Sequence, residues 1–147
     1  MYEQKLIAGW ADMDFNSHMR NTAYLDKSAD VRMMFFAEHG FPVSEFSRLR
    51  IGPVVRKDEI AYFREVNLLE ELRVTLAVAG LSQDGSRWIL RNEFYRRDHA
   101  LAATVSSTGG WLDLNARVLV RAPKALLDAV HGLHRTEDFQ ELPTSIR

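Results

Sequence analysis

The residues best suited to chemistry lie in one short polar segment near the N-terminus. The segment contains Asp12, Asp14, Asn16, Ser17, His18, Arg20 and Asn21. Carboxylates and an imidazole this close together could bind a cation, transfer a proton or attack a carbonyl group. The residue patterns on either side predict a strand before the segment and a helix after it, and loops in such positions often carry catalytic residues.

A calcium-binding loop is one interpretation of this segment. Asp12, Asp14 and Asn16 match the first three ligand positions of an EF-hand loop. However, Ser17 stands where the turn needs glycine, and Ala23 stands where a bidentate glutamate is needed. No helix is predicted before the loop either. These mismatches argue against a calcium site.

Phosphoryl transfer by the Asp12-x-Asp14 pair is a second interpretation. Such sites need a nucleophilic carboxylate, a second carboxylate for acid–base work and a bound cation. The rest of the chain lacks the alternating strands and helices that normally carry the other ligands. This interpretation is therefore disfavoured.

A third interpretation gives the segment a purely structural role. Aspartate and asparagine commonly form turns and cap helices. A single histidine near a helix start, such as His18, is more often a surface or capping residue than a catalyst. Short motifs also have many chance matches, so the residues alone leave this interpretation open.

Hydrolysis of an ester or thioester is the fourth interpretation. The first amides of a helix are unpaired donors with a partial positive charge, and they can stabilise the oxyanion that develops on a carbonyl. Asp14 could attack the carbonyl carbon or take a proton from water. A thioester suits such a sparse site because a thiolate leaves more easily than an alkoxide. Asp14 and a helix preceded by Asn21 are close enough in sequence to flank one carbonyl.

The elements that position this segment follow from the hydrophobic pattern. Residues 2–11 alternate as a strand, and residues 22–39 repeat as an amphipathic helix, with Asn21 as its N-cap and Gly40 and Pro42 at its end. Further strands are predicted at 51–55, 59–66, 72–79, 87–96 and 101–112, with a bulge at Gly109-Gly110, and a short helix at 123–133. This order predicts an α+β fold in which one helix packs on one antiparallel sheet.

Length and composition define the class of protein. The 147 residues, with a formal net charge of −1, predict one domain over residues 1–134 and a polar, loosely held tail over 135–147. The absence of cysteine excludes disulfides, thiolate nucleophiles and zinc fingers. The near-neutral charge predicts no binding to nucleic acid or to membranes. Since no signal peptide or membrane-spanning stretch is visible, we expect a cytoplasmic location.

The polar segment also resembles a known family signature. From Trp10 to Leu25 the chain reads Trp-Ala-Asp-Met-Asp-x-x-x-His-x-x-Asn-x-x-Tyr-Leu, which is similar to the signature of hotdog-fold acyl-CoA thioesterases of the 4-hydroxybenzoyl-CoA thioesterase type. Weaker similarity extends over about residues 2–133 and includes Arg32 and Tyr62. The resemblance implies a hotdog fold, in which a curved antiparallel sheet wraps around one long central helix. It also implies a homodimer or tetramer, an acyl-CoA substrate at the protomer interface, and neither metal nor cofactor.

The resemblance assigns roles to residues of the segment. Asp14 would be the catalytic carboxylate, either as general base or as nucleophile. The backbone amides near Asn21 and Thr22 would be the oxyanion donors. His18 and Asn21 would shape the site, and Thr22 and Tyr24 would contact the substrate.

The chain departs from the signature at two positions. Ser17 replaces a glycine, and Arg20 replaces the first asparagine of an Asn-Asn pair. We expect Arg20 either to contact the substrate or to pair with Asp12, which we interpret as structural. Among the basic pairs of the chain, Arg56 and Lys57 are candidates for binding the CoA phosphates, because arginine suits bidentate phosphate contacts.

Two other functions stay open at this stage. The changes at Ser17 and Arg20 could leave a hotdog module that binds acyl-CoA without hydrolysing it. A hotdog hydratase acting on enoyl-CoA would also use acid–base side chains, but the helix-start motif resembles the thioesterase pattern more closely.

Overall fold

One long helix lies against a curved seven-stranded sheet in the computed structural model, which describes residues 1–147. The elements are β1 (Tyr2–Ile7), a 3₁₀ turn (Trp10–Asp12), α1 (Ala23–Glu38), α2 (Val43–Leu49), β2 (Ile51–Tyr62), β3 (Glu71–Ser82), β4 (Arg87–Tyr95), β5 (Leu101–Asp113), β6 (Leu119–Val120), α3 (Lys124–His131) and β7 (Arg135–Leu142). The strand order is β1-β3-β4-β5-β2, with β6 beside β5 and β7 beside β3. All pairs are antiparallel except β3–β7. The predicted α+β hotdog fold is confirmed.

The core forms where α1 meets the inner face of the sheet. Phe36 of α1 is fully buried and its ring lies 5.5 Å from that of Trp111 on β5. Trp88 and Phe94 of β4 are also fully buried. Trp111 donates its Nε1–H to the carbonyl of Gly85 at 2.9 Å, so its polar group is satisfied despite burial. Burial of these large rings fixes α1 against the sheet and thereby fixes the helix start.

Strand β2 is continuous where the sequence predicted two short strands. It runs from Ile51 to Tyr62 and pairs only with β5. Pro53 lies inside it, which an edge strand tolerates because one side of the strand needs no backbone donors. The predicted division into strands at 51–55 and 59–66 was therefore wrong.

The predicted bulge lies on the opposite strand. Val55 pairs with Gly109 and Lys57 pairs with Thr108, so Arg56 is the extra residue and the bulge is in β2. Glycine is needed at position 109 for another reason. A Cβ there would lie 2.2 Å from the carbonyl oxygen of Val54 and 2.6 Å from the ring of Trp88.

Two helix boundaries also differ from the prediction. Helix α1 begins at Ala23 with Thr22 as N-cap, so the cap is one residue later than the predicted Asn21. Pro42 both follows α1 and serves as N-cap of α2, a helix that the sequence analysis missed. Proline is well suited to a helix start because its fixed φ needs no rearrangement there.

The C-terminal residues are ordered, in contrast to the loosely held tail that was predicted. Strand β7 pairs with β3 at Gln140 and Leu142, beyond the part of β3 that pairs with β1. Asp84, in the turn after β3, accepts hydrogen bonds from the hydroxyl groups of Ser82, Ser86 and Thr144. The prediction failed because the partners of this polar segment lie far away in sequence.

The Asp84 contacts make stability dependent on pH. Burial raises the pKa of Asp84, but the hydrogen bonds from Thr144, Ser86 and Ser82 outweigh burial and hold the pKa well below its ordinary value. Because the folded-state pKa is below the unfolded value, this stabilisation is present at neutral pH and is lost as the pH falls below about 4. Asp84→Asn is expected to lower the free energy of unfolding at pH 7 by about 2 kcal/mol.

Thermal unfolding between pH 7 and pH 3 tests this prediction. The midpoint of Asp84→Asn is expected to lie about 5 °C below that of the wild type at pH 7, and the gap is expected to narrow toward pH 3. The matched control is Glu141→Gln, which changes an exposed carboxylate of β7 that makes no ion pair. Equal midpoints for wild type and Asp84→Asn at pH 7 would show that the hydrogen bonds to the Asp84 carboxylate do not stabilise the fold.

Candidate active site

The loop after the 3₁₀ turn holds the Asp14 carboxylate in a fixed position. The backbone N–H of Asp14 donates to the carbonyl of His18 at 2.8 Å, which closes the loop. Asp14 Oδ1 accepts hydrogen bonds from the amides of Asn16 at 2.8 Å and His18 at 3.1 Å. Asp14 Oδ2 accepts none within the chain, and the residue is exposed. One carboxylate oxygen therefore anchors the loop and the other is available for chemistry.

Ser17 adopts the backbone conformation that the glycine of the signature would favour. Its φ is +62°, in the left-handed region. Serine is less suited to this region than glycine, but the turn still closes, because the Ser17 amide donates to the carbonyl of Asp14 at 3.1 Å. The departure at Ser17 therefore leaves the carboxylate in place.

An open cavity of about 430 Å³ lies in front of this loop. Of the predicted residues, Asp14, His18, Asn21 and Tyr24 line it. Of the other six lining residues, four come from a distant part of the chain for which no site role was predicted, and these are Tyr62, Phe63, Arg64 and Glu65. These four end β2 and begin the connection to β3. The hydrophobic alternation predicted a strand over 59–66, but it could not show that the end of this strand would lie beside the Asp14 loop.

Two residues at the start of α1 that line the same cavity have unpaired amides. The amide of Thr22 donates to Asn21 Oδ1 at 3.1 Å, and the amide of Ala23 donates to the carbonyl of Arg20 at 3.0 Å. The amides of Asn21 and Tyr24 donate to no acceptor within the chain. Of the two amide donors that the resemblance implied, that of Asn21 is unpaired and that of Thr22 already donates to a side chain.

Two tyrosines hold the start of α1 in place. Tyr62 donates its hydroxyl hydrogen to the carbonyl of Asn21 at 3.0 Å. The Tyr24 ring packs edge-on against those of Tyr62 and Phe94, with centroids 5.4 and 5.2 Å apart. Burial, with smaller effects of Tyr62 and Glu70, raises the pKa of Tyr24 to about 12, and burial also raises the pKa of Tyr62. Both hydroxyls therefore stay protonated at neutral pH and can donate but not act as bases.

His18 lines the cavity and contacts the β2–β3 connection. Its Nε2 is 3.1 Å from Glu65 Oε2. Its backbone forms a bridge with Asn67, and the next amide, Met19 N, donates to the carbonyl of Val66 at 2.8 Å. The loop that carries Asp14 is thus attached to a part of the chain that is remote in sequence.

Asp12 has the structural role that the sequence predicted, but with a different partner. Its carboxylate accepts from the amide of Gly9 at 2.8 Å and pairs with Lys27 Nζ at 3.0 Å. Burial raises the pKa of Asp12, but the contacts with Lys27 and Gly9 outweigh burial and lower it below its ordinary value. The carboxylate is therefore engaged with Lys27 rather than with Arg20.

Arg20 and Thr22 lie beside the cavity without lining it. Arg20 donates through Nε to Thr22 Oγ1 at 3.0 Å, lies 3.5 Å from Asp26 Oδ2, and also donates to the carbonyl of Ala11. Its guanidinium is thus folded back over the loop. In this structure neither side chain points at Asp14.

Arg56 and Lys57 are not brought to the cavity either. They lie on the bulge of β2, about 16 Å along the strand from Tyr62 at the usual rise per residue. A second shallow cavity of about 340 Å³ is lined by these two residues with Arg87, Thr108 and Gly109. No carboxylate lines this cavity, although Lys57 Nζ is 2.7 Å from Glu59 Oε1.

The structure shows no group of three or more histidine, aspartate or glutamate side chains placed to hold a metal ion. The carboxylates of the calcium interpretation point to different partners, Asp12 to Lys27 and Asp14 to loop amides. None of the helices has both the length and the apolar character needed to cross a membrane.

The fold and the site define a hotdog protein in which a carboxylate loop faces the start of the central helix. Comparison with family models agrees, because the thioesterase-like superfamily matches residues 8–130. The chain therefore belongs to the thioesterase-like superfamily. The comparison with curated proteins finds no match.

Solved structures share the fold at low sequence identity. Protein SAV2348 of Staphylococcus aureus, solved in complex with CoA, has a TM-score of 0.81 and 21% identity over 88% of this chain and 81% of its own. The 1,4-dihydroxy-2-naphthoyl-CoA thioesterase of Synechocystis has a TM-score of 0.80 and 14% identity over 90% and 96%. The DHNA-CoA thioesterase of Staphylococcus aureus has a TM-score of 0.79 and 17% identity over 88% and 87%.

Proposed function

We propose that this protein is a thioesterase that hydrolyses acyl-CoA to a free carboxylic acid and CoA. One observation carries the proposal. Asp14, which has one free carboxylate oxygen, and Asn21, which has an unpaired amide, line one open cavity, as a carboxylate and an oxyanion donor must if they are to act on one carbonyl.

The reaction follows from these two groups. The thioester oxygen accepts a hydrogen bond from the amide of Asn21, and the partial positive charge at the start of α1 stabilises the negative charge that develops on it. Asp14 Oδ2 then acts in one of two ways. As a general base it takes a proton from the water that attacks the carbonyl carbon; as a nucleophile it forms a mixed anhydride that water hydrolyses. In both routes the C–S bond breaks and the thiolate leaves and is protonated.

Membership of the thioesterase-like superfamily supports a thioester as substrate. Two solved relatives in fold are named as CoA thioesterases and a third was solved with CoA, which favours acyl-CoA as the carrier. The tyrosines that line the cavity stay protonated and can orient the acyl group, while Asp14, Asn21 and His18 provide its polar wall.

We further propose a homodimer built through β2. This strand is twelve residues long, lies at the edge of the sheet and pairs on one side only. A second copy pairing with this open edge would extend the sheet and would close the open cavity beside Tyr62. The acyl-CoA would then lie between protomers, as the family resemblance implies.

Arg56 and Lys57 are proposed to bind the phosphates of CoA. Their distance from the Asp14 cavity suits the far end of a long substrate, and the cavity that they line has no carboxylate. Replacing both by alanine is expected to raise the KM for acyl-CoA about tenfold, because two charge-assisted phosphate contacts are lost. The kcat is expected to stay within about twofold, since neither residue reaches the thioester.

The same variant assayed with an acyl-pantetheine, which lacks the adenosine phosphates, is expected to match the wild type. Arg48→Ala is the control, because Arg48 is an exposed cation on α2 that pairs with Glu45. An equal rise in KM for both substrates would show that Arg56 and Lys57 act in some other way.

A thiol-release assay over a panel of aliphatic and aromatic acyl-CoA substrates tests the proposed function. We expect free thiol in proportion to acid formed for at least one substrate. Tight acyl-CoA binding without thiol release would identify a binding module, and loss of enoyl absorbance without thiol release would identify a hydratase.

A further inference from the structure

Glu65 faces the catalytic loop from a remote part of the chain. It lies on the connection between β2 and β3, and its side chain lines the same cavity as Asp14 and His18. The carbonyl of Glu65 accepts a hydrogen bond from Arg96 Nη1 at 3.0 Å. Its backbone is thus held by the turn after β4, which leaves the carboxylate at a defined place beside His18.

We infer that Glu65 is a positioning residue that acts through His18 in the thioester hydrolysis proposed above, and the inference rests on that proposed function. Glu65 Oε2 lies 3.1 Å from His18 Nε2. The amide of His18 in turn donates to Asp14 Oδ1. A contact that fixes the His18 ring therefore also limits the movement of the residue whose amide holds the catalytic carboxylate.

The pair also orients the His18 ring, because Nε2 is the ring nitrogen that faces Glu65. With Nε2–H donated to Glu65, a neutral imidazole leaves Nδ1 as an acceptor. A carboxylate partner that selects one tautomer and ring orientation is a recurring way to prepare a histidine for its task. The other charged groups that face this wall of the cavity are Asp14 from the loop itself and Arg64 from the connection.

The solvent exposure of the two side chains sets the size of the kcat change expected when Glu65 is replaced. The Glu65 side chain is 73% exposed and that of His18 34%, so water screens the pair while the cavity is open. A bound acyl group excludes part of this water and strengthens the contact. We therefore expect Glu65→Ala to lower kcat about fivefold, comparable with the loss of a hydrogen bond to a carboxylate that is partly desolvated.

A double-mutant cycle on kcat separates positioning from mere structural support. If Glu65 acts through His18, the double variant His18→Ala/Glu65→Ala is expected to be no slower than His18→Ala alone. Glu65→Gln, which keeps a hydrogen-bond acceptor, is expected to recover most of the activity, with KM unchanged throughout. Independent losses that multiply in the double variant, or a Glu65→Gln variant as slow as Glu65→Ala, would overturn the inference.

Long-range ¹H–¹⁵N spectra of the histidine rings provide a readout that does not need activity. In the wild type we expect His18 to carry its proton on Nε2, and in Glu65→Ala we expect the tautomer balance to change. Glu71→Ala, at an exposed carboxylate that begins β3, is the control and is expected to leave the His18 signals unchanged. Identical His18 spectra in wild type and Glu65→Ala would overturn the inference by itself. Absent thiol release with an intact pair would overturn the proposed function and, with it, the catalytic role of Glu65, but not its control of the His18 ring.

Discussion

Asp14→Asn is expected to lower kcat for acyl-CoA hydrolysis by about three orders of magnitude, the loss typical of removing a catalytic base or nucleophile. The asparagine side chain keeps an Oδ1 acceptor for the amides of Asn16 and His18, so the loop is expected to hold its shape. KM is expected to change little, because the substituted oxygen makes its decisive contact only during reaction. Steady-state thiol release, with circular dichroism to verify folding, measures the effect.

Asp12→Asn is the matched control for Asp14→Asn. The two carboxylates belong to the same segment, but that of Asp12 pairs with Lys27 and does not line the cavity. This variant is expected to lose stability while keeping kcat within about threefold of the wild type. A folded Asp14→Asn protein with more than a tenth of wild-type turnover would remove Asp14 from the chemistry. A loss of turnover as large in Asp12→Asn would indicate that the segment acts only through its structure.

Gly109→Ala is expected to cause the largest loss of stability of any small substitution proposed. Its Cβ would lie 2.2 Å from the carbonyl oxygen of Val54, which belongs to the backbone and cannot turn aside. It would also press on the Trp88 ring, which is fully buried in the core. Since β2 and β5 would have to separate, we expect the free energy of unfolding to fall by about 3 kcal/mol or more.

Urea unfolding followed by tryptophan fluorescence measures this loss. Gly132→Ala is the control, because a Cβ there would meet its nearest neighbour at 3.3 Å and the residue has an ordinary helical φ of −77°. We expect Gly132→Ala to stay within about 1 kcal/mol of the wild type. A Gly109→Ala protein as stable as the wild type would show that the close approach of β2 to β5 is not required.

The sequence predicted those parts of the molecule that depend on local information. The alternation in β3 and β4 and the helical repeat of α1 gave the α+β class, because a residue's face within one element depends on neighbours a few positions away. The polar segment predicted Asp14, His18 and Asn21 as neighbours for the same reason, since one loop joins them.

Contacts between distant segments could not be predicted in this way. Nothing in the pattern around Glu65 shows that its side chain meets His18, and nothing near Tyr62 shows that its hydroxyl reaches the carbonyl of Asn21. Likewise, the C-terminal residues are held in place by the hydrogen bond from Thr144 to Asp84, and Asp84 is remote from them in sequence. In each case the partner is set by how the strands are arranged in the sheet, and composition and periodicity carry no record of that arrangement.

A structure of the protein with a ketone analogue of acyl-CoA, in which a methylene group replaces the thioester sulfur, would show whether Asp14 and the start of α1 act on the same carbonyl group. The analogue keeps the carbonyl but has no thiolate to lose. We expect its oxygen to accept a hydrogen bond from the amide of Asn21 while its carbonyl carbon faces the free oxygen of Asp14. A carbonyl bound away from both groups, with the start of α1 unoccupied, would exclude joint action of Asp14 and the Asn21 amide on the thioester.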